Sequence, residues 1–202
     1  GELVEFLAEN QLTRSDVLIA LGGGVVGDMT GFAASIYLRG ISFVQMPTTL
    51  LAAVDSSVGG KTGVNLSAGK NLAGTFWQPD MVLFDVDTIK TLPHNLQLDG
   101  IAEAMKAGII ADPALFHFIA EESPLEHNGG LISMVARSVA IKKKIFEEDE
   151  REQGTRQVLN LGHTIGHAIE KCSSFSVSHG HAVAVGMAIV CRASCTLDWT
   201  DG

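Results

Sequence analysis

The residues with the clearest potential for chemistry are histidines near the end of the chain. His163 and His167 are four residues apart in NLGHTIGHAIE, and His179 and His181 follow in SHGH. Side chains four apart share one helix face, so imidazoles on two neighbouring helices can meet and bind a divalent metal such as zinc. The alternative is that these histidines are helix caps or core residues.

A zinc site of the two-histidine type also needs a carboxylate ligand, and Glu103 is the best candidate. It interrupts an otherwise apolar helical segment at residues 100–110. The alternative is an exposed helix face on which Glu103 pairs with Lys106, one turn later.

A second pattern, G-x-G-x-x-G, occurs between a predicted strand and a predicted helix. Its glycines are Gly22, Gly24 and Gly27, and Gly23 completes the turn. In this context a dinucleotide pyrophosphate can lie against the helix N-terminus. The acidic residue expected about 20 positions later is absent, because that region reads QMPT. A tight strand-to-helix turn without a ligand is the alternative.

A third segment, VDSSVGGKTGVN, has the glycines and lysine of a phosphate loop. That loop needs a glycine six residues before its lysine, whereas Asp55 stands six before Lys61. An anionic side chain there argues against a nucleoside triphosphate. Residues 54–79 fit neither helical nor strand periodicity, so we expect a functional loop in which Lys61 and Lys70 bind phosphate or carboxylate groups. For Lys143 and Lys144 we expect solvated surface charges.

The elements that position these residues fall into two parts. Apolar strands predicted at residues 16–21, 41–46 and 81–86 alternate with helices, which indicates a parallel α/β layer. Helices are predicted at 96–110, 113–121, 131–148, 158–171 and 179–197. We therefore predict a partial Rossmann-like, NAD-binding α/β domain at residues 1–92, and a partial all-α domain that binds metal and substrate at 93–202.

Both domains are expected to be truncated, because the chain begins inside a helical segment, ELVEFLAEN, and stops just after another. The absence of the acidic residue that would bind the ribose of NAD leads to the same expectation. We expect the isolated 202-residue chain to bind NAD poorly and to have little synthase activity.

Composition limits the possible partners. The 202 residues are 46% hydrophobic, which supports a sizeable core, and the net charge of -9 disfavours nucleic acids and anionic membranes. No apolar run approaches the roughly 20 residues that span a bilayer. The cysteines, Cys172, Cys191 and Cys195, contain no C-x-x-C pair, which favours the reducing cytoplasm. We expect all of them in the core.

Six segments, LGGGVVGD, YLRG, MPTTLLAAVDSSVGGKTGVN, GKNLAGTFWQP, GIAEAMKAGII and NLGHTIGHAIE, occur in this order. Together they closely resemble the 3-dehydroquinate synthase family over nearly the whole chain. The resemblance implies a homodimeric lyase of the shikimate pathway that converts 3-deoxy-D-arabino-heptulosonate 7-phosphate to 3-dehydroquinate and phosphate. In that family NAD transiently oxidises a ring hydroxyl, phosphate leaves, the hydride returns and an aldol closure forms the ring.

The resemblance also implies roles for individual residues. NAD would lie on Gly23, Gly24, Val25 and Asp28, with Thr48, Thr49, Asp55, Lys61, Lys70, Thr88 and Thr91 around it. Zinc, or cobalt, would be bound by Glu103, His163 and His179. The substrate would contact Arg39, Asp55, Lys61, Asn71, Lys106, Lys142, Arg156, Asn160 and His167, with Arg39 reaching the phosphate from a neighbouring subunit. Lys142 and Arg156 are expected to face a cleft between the domains.

One departure and several alternatives stay open. The family usually reads HGEAV after its zinc-type histidine, whereas His181 here replaces an acid that could orient the metal ligands. Another sugar-phosphate cyclase is a possible identity, although His167 favours dehydroquinate synthase. A metal-dependent NAD alcohol dehydrogenase of similar fold is a further alternative. It would bind few anionic groups, so the basic residues Lys61, Lys106, Lys142 and Arg156 argue against it. A non-catalytic homologue is disfavoured by the intact metal-type residues.

Overall fold

The chain forms two compact units, Gly1–Thr91 and Leu92–Gly202, in a computed structural model. The first unit ends one residue before the boundary expected from the sequence. The structure describes residues 1–149 and 154–200, without the side chains of Lys70 and Asn71.

The first unit is an α/β layer built around a small parallel sheet. Its elements are α1 (Glu2–Glu9), β1 (Val17–Gly22), α2 (Gly24–Ile36), β2 (Ser42–Pro47), β3 (Lys61–Leu66), β4 (Gly69–Phe76) and β5 (Met81–Val82). The sheet has the order β1-β2-β5, and both pairings are parallel. Helix α2 crosses from β1 to β2 and packs on both strands. The predicted parallel α/β layer is therefore confirmed.

The core of this unit lies between α1, α2 and β2. It contains Leu7, Ala34, Tyr37, Ile41 and Phe43. The Tyr37 hydroxyl donates a hydrogen bond to the backbone oxygen of Leu12 at 2.8 Å, so the polar end of this buried ring is satisfied. These contacts hold the helix that follows the glycine turn against the sheet.

The segment predicted as an irregular loop, residues 54–79, is largely an antiparallel hairpin of β3 and β4. The prediction was wrong because the hairpin has glycines at positions where strands normally show alternating apolar and polar side chains. Gly63 lies opposite Gly74, and a Cβ on Gly63 would come within 2.6 Å of the Ala73 backbone oxygen. The two strands can approach this closely only where they carry glycine, and a glycine-rich segment looks like a loop in the sequence.

The second unit is helical, as predicted. Its helices are α3 (His94–Ala111), α4 (Pro113–Glu122), α5 (Asn128–Glu148), α6 (His163–Cys172) and α7 (His179–Thr196). Helix α3 packs against α4, α5 and α7, and α6 packs against α7. The helix expected at 158–171 begins later, because residues Thr155–Asn160 form a 3-10 helix and Gly162 has a φ of 78°. None of the described helices combines the length and apolarity needed to cross a membrane.

The core of the helical unit includes Leu115, Met134 and Val183, whose side chains are fully buried. The expectation that the cysteines join this core was wrong, because all three are exposed. Helix α7 buries the small and apolar residues of its first half, and Cys191 and Cys195 lie beyond that buried stretch. Cys172 is the last residue of α6.

Candidate metal site and dinucleotide turn

Three side chains of the helical unit converge around one carboxylate oxygen. Glu103 lies in the middle of α3, and His163 and His179 are the first residues of α6 and α7. Oε1 of Glu103 is 3.8 Å from Nε2 of His163 and 3.7 Å from Nε2 of His179. The candidate ligand atoms of all three residues lie within 4.8 Å of one another.

Glycines allow the helices to approach closely enough for this convergence. A Cβ on Gly180 would overlap the backbone of Asp99, where α7 meets α3. A Cβ on Gly186 would overlap the backbone oxygen of Gly162, where α7 meets α6. Both contacts join backbone to backbone, so a side chain at either position would push the helices apart.

The two oxygen atoms of Glu103 have different neighbours. Oε2 forms an ion pair with the Lys106 ammonium group, while Oε1 faces the imidazoles. Glu103 is 3% exposed and Lys106 is 4% exposed, so each charge offsets part of the desolvation of the other. The predicted pairing of these residues therefore occurs in the interior and not on an exposed helix face.

The donor set fits a divalent metal ion. Ligand atoms bonded to tetrahedral zinc at about 2.1 Å lie roughly 3.4 Å apart, and the carboxylate-to-imidazole distances here are 3.7 and 3.8 Å. One carboxylate and two imidazoles also form the ligand set of catalytic zinc sites that keep a position open for a reacting oxygen. The three side chains would therefore need to move only slightly to bind such an ion.

The second nitrogen of His179 faces a carboxylate that the sequence analysis missed. Nδ1 of His179 is 3.3 Å from Oε2 of Glu170, which is only 8% exposed. Nε2 of His167 is 4.0 Å from the same oxygen, and its side chain is 63% exposed. Glu170 stands three residues after His167 on α6, so its spacing could have indicated this contact.

Asp99 is a second buried carboxylate that the sequence analysis missed. It precedes Glu103 by one turn on α3 and is 4% exposed. Its Oδ1 accepts hydrogen bonds from the Ser178 hydroxyl at 2.6 Å and from the backbone N–H of His181 at 3.1 Å. The sequence signal available was its i, i+4 relationship to Glu103.

The predicted substrate-binding residues of the helical unit occupy different environments. Lys142 is half-buried, whereas Lys143 and Lys144 are exposed, as predicted. Arg156 is 3% exposed, and its guanidinium carbon lies 4.9 Å from the centroid of the Phe146 ring. Whether Lys142 and Arg156 face a cleft between the domains stays a prediction.

Asn160 ends the 3-10 helix and lines a surface groove of about 900 Å³. The groove is otherwise mainly apolar, with Ile109, Val158 and Ile165 on its walls.

The glycine turn of the first unit joins β1 to α2. The backbone oxygen of Gly22 accepts from Thr48 N–H at 2.9 Å, and Gly23 caps α2. A Cβ on Gly23 would lie 3.1 Å from Cγ2 of Thr49, and one on Gly24 would lie 2.9 Å from Oγ of Ser56. The turn therefore leaves no room for side chains between the helix N-terminus and the chain that follows β2.

Gly27 has a packing role one turn further along α2. A Cβ there would lie 2.8 Å from Oε1 of Gln45, a side chain that is buried on β2. The third glycine of the motif thus lets the helix pack closely on the sheet. Gln45 occupies the region in which a ribose-binding acid was sought.

Most candidate cofactor residues follow the carboxyl ends of the three parallel strands. The glycine turn follows β1, Thr48 and Thr49 follow β2, and Thr88 and Thr91 lie in the 3-10 helix Val86–Thr91 after β5. In parallel sheets these ends share one edge, where such folds bind ligands. The hydroxyls of Thr88 and Thr91 donate to the backbone oxygens of Asp85 and Thr88, respectively.

The other predicted residues of this unit are placed as follows. Val25 is 68% exposed, and Asp28 and Asp55 are half-buried. Lys61 is the exposed first residue of β3. The side chains of Lys70 and Asn71 lie outside the part of the chain that the structure describes. Contacts of these residues with NAD or substrate stay predictions.

Arg39 is exposed on a turn with unusual backbone geometry. Its φ is 67°, and that of the preceding Leu38 is 50°. Non-glycine residues in the left-handed region are uncommon, and backbone strain of this kind is often found at functional sites. A second such pair, Ser174 and Phe175, occurs after α6.

Among the solved structures with a similar fold are two cyclases that share about 30% of their residues with this chain. A 2-deoxy-scyllo-inosose synthase complexed with carbaglucose-6-phosphate, NAD+ and Co2+ has a TM-score of 0.90 and 31% identity, over 98% of this chain and 55% of that chain. A 2-epi-5-epi-valiolone synthase from Streptomyces hygroscopicus subsp. jinggangensis 5008, with NAD+ and Zn2+ bound, has a TM-score of 0.85 and 30% identity. It matches over 93% of this chain and 54% of that chain. The chain therefore has the fold of the sugar-phosphate cyclases.

Sequence comparisons narrow this class to one family. The N-terminal and C-terminal models of 3-dehydroquinate synthase match residues 1–98 and 100–202. The 3-dehydroquinate synthase of Alkaliphilus metalliredigens is 52% identical over 192 residues, which are 93% of this chain and 54% of that protein. The chain belongs to the 3-dehydroquinate synthase family, and it spans about half the length of the curated relatives it matches.

Proposed function

We propose that the protein is a 3-dehydroquinate synthase, a lyase that converts 3-deoxy-D-arabino-heptulosonate 7-phosphate to 3-dehydroquinate and phosphate. The observation that carries this proposal is the convergence of Glu103, His163 and His179 in a chain of this family. A buried carboxylate with two imidazoles is the ligand set expected of a metal-dependent cyclase.

Glu103, His163 and His179 would hold the divalent metal, zinc or cobalt. Once bound, the metal supplies Lewis-acid chemistry that lowers the pKa of a substrate hydroxyl. The buried ammonium group of Lys106 holds Oε2 of Glu103 and leaves Oε1 directed at the imidazoles, in addition to the contact with substrate that is proposed for it below. The two cyclases of similar fold contain Co2+ and Zn2+, which supports a divalent metal here.

The turn from Gly22 to Gly27 would hold the pyrophosphate of NAD, with Val25 and Asp28 beside it. NAD bound there would supply reversible hydride transfer. The residues Thr48, Thr49, Asp55, Lys61, Lys70, Thr88 and Thr91 would surround the rest of the cofactor. The strand-edge position of this turn and the NAD+ in both similar cyclases support the assignment.

Basic and polar side chains would bind the anionic groups of the substrate. These are Arg39, Lys61, Asn71, Lys106, Lys142, Arg156 and Asn160. Asp55, which is itself an acid, and His167 would contact other parts of the substrate. Fixed positive charges stabilise the leaving phosphate without reorganising during the reaction. The exposed ring of His167 lies 5.4 Å from that of His163 and 5.9 Å from that of His179, so a substrate hydroxyl near the metal ligands would be within its reach.

The proposed enzyme is a zinc-dependent homodimer of the cytoplasm. Three free cysteines support a reducing compartment. The contact of Arg39 with a neighbouring subunit is what the family resemblance implies, and the exposed position of Arg39 is compatible with it.

The test measures phosphate release from 3-deoxy-D-arabino-heptulosonate 7-phosphate by the purified full-length protein. A chelator should abolish release, and Zn2+ or Co2+ should restore it. Glu103→Gln should weaken metal binding by about 100-fold or more, since even partners of metal ligands contribute 10 to 100-fold. Glu121→Gln, at an exposed position on α4, is the matched control and should bind metal normally.

Two results would contradict the proposal. Accumulation of NADH from an alcohol without phosphate release would identify a dehydrogenase. Phosphate release from another sugar phosphate, but not from this substrate, would identify a different cyclase.

A further inference from the structure

We infer that Asp99 is a positioning residue of the proposed metal site. It fixes the start of α7 against α3, and it thereby sets the distance between His179 and Glu103. This inference rests on the proposed function, because it concerns how the same site is held in shape.

The first observation is that Asp99 caps a helix to which it does not belong. The cap residue of α7 is Ser178, whose side chain makes no capping hydrogen bond. Oδ1 of Asp99 instead accepts from the backbone N–H of His181, the third residue of α7, at 3.1 Å. This N–H is one that a helix cannot satisfy internally, and a carboxylate beside a helix N-terminus is electrostatically favoured.

The second observation is that the side chains of Ser178 and His181, which precede and follow His179, both contact Oδ1 of Asp99. The Ser178 hydroxyl donates to Oδ1 of Asp99 at 2.6 Å, and Nδ1 of His181 lies 2.8 Å from it. Nδ1 of His181 also lies 2.8 Å from the Ser178 hydroxyl, so the three polar groups form one cluster at the start of α7. His179 therefore lies between two residues that are both tied to α3.

The third observation links this contact to the ligand distance. Asp99 and Glu103 are one turn apart on α3, and Gly180 lets α7 lie directly against the Asp99 backbone. Movement of α7 away from Asp99 would carry the His179 ring away from Oε1 of Glu103. His181 stands where the resemblance to the family leads us to expect an acid, and its ring contacts Asp99 at the point where α7 meets α3.

The test compares Asp99→Ala with Asp112→Ala in the purified protein. Asp112 is a matched control, because it also caps a helix, accepting from Leu115 N–H at 3.0 Å, and it also has a side-chain partner, Arg137. Affinity for Zn2+ and Co2+ is measured by titration of the metal-stripped protein. Asp99→Ala should weaken it by about 10 to 100-fold and change the Co2+ absorption spectrum, whereas Asp112→Ala should stay within about 3-fold.

A second measurement needs no metal. NMR signals of the His179 imidazole in the metal-stripped protein should shift in Asp99→Ala and stay in place in Asp112→Ala.

Two further variants refine the metal titration. Asp99→Asn, which keeps the Oδ1 acceptor, should lose less metal affinity than Asp99→Ala. The double variant Asp99→Ala/His181→Ala should lose no more than about the same amount as Asp99→Ala, since contacting residues are not additive.

Unchanged metal affinity and unchanged His179 signals in Asp99→Ala would overturn the inference. Equal losses in the two alanine variants would overturn it as well, because general destabilisation would then explain both. If Asp99→Ala weakens metal binding while the full-length wild-type protein releases no phosphate, the proposed function is contradicted and this inference stays in place.

Discussion

Nδ1 of His179 lies 3.3 Å from Oε2 of Glu170. The other nitrogen of the same ring faces Glu103 at 3.7 Å, so the imidazole lies between two carboxylates. A carboxylate on the second nitrogen of a metal-binding histidine fixes its tautomer and ring orientation. This relationship gives Glu170 an indirect role in the proposed site.

We predict that Glu170→Gln weakens binding of Zn2+ by roughly 10-fold, because the amide keeps the shape of the carboxylate but loses its charge. Isothermal titration of the metal-stripped protein checks this. Glu122→Gln, an exposed change at the end of α4, is the control and should bind as the wild type does. If the wild type, Glu170→Gln and Glu122→Gln bind Zn2+ with equal affinity, Glu170 does not contribute to metal binding.

Two lysines of α5 should differ in their effects on activity. Consecutive helical residues are about 100° apart, so Lys142 and Lys144 point to different sides, and only Lys142 is half-buried. Lys142→Met should reduce the rate of phosphate release by about 100-fold, which is the usual effect of removing one group that stabilises developing charge. Lys144→Met should leave the rate unchanged, and similar losses in both variants would refute the assignment.

The contact between α3 and α7 should not tolerate a methyl group. Gly180→Ala places a Cβ against the Asp99 backbone, so we expect a loss of about 1 to 3 kcal/mol in the free energy of unfolding, together with weaker metal binding. Gly129→Ala is the matched control, since the nearest described atom beyond its own stretch of helix backbone, Nδ1 of His127, lies 4.0 Å from the new Cβ. Because alanine favours helix, the control should be neutral or more stable by up to about 1 kcal/mol. Urea unfolding of both variants measures the difference.

The pair Arg137 and Asp112 should make stability depend on acid pH. The Arg137 guanidinium, 2.8 Å from Oδ1 of Asp112, holds the pKa of that carboxyl below its ordinary value of 3.8. A lowered folded pKa contributes stability that is present above the unfolded pKa and is lost as the pH falls through the folded value. The stability difference between wild type and Arg137→Gln should therefore be full above about pH 5 and shrink below about pH 4.

Urea unfolding followed by circular dichroism between about pH 3 and pH 7 tests this dependence. Arg192→Gln, at an exposed position on α7, is the control, and its difference from wild type should not vary in this way. A constant difference for Arg137→Gln would contradict the role of the ion pair.

The sequence by itself determined the order of the elements and the site-forming residue types. The apolar run before Gly22 and the helical periodicity after residue 93 are local patterns, and local backbone preferences are sufficient to produce them. The family segments added roles for particular residues. The hairpin between Lys61 and Phe76 escaped detection, because strands whose glycines face each other across a pair have no side chains to alternate.

Only the tertiary structure decided which side chains meet. His163 and His167 are indistinguishable by spacing, yet the packing of α6 on α7 directs His163 towards Glu103 and leaves His167 63% exposed. Asp99 contacts residues 79 and 82 positions later, and no local pattern carries information over that distance. Such contacts depend on how closely the helices approach one another. Glycines such as Gly180 and Gly186 allow that approach, but the sequence does not show which backbone segment each glycine will face.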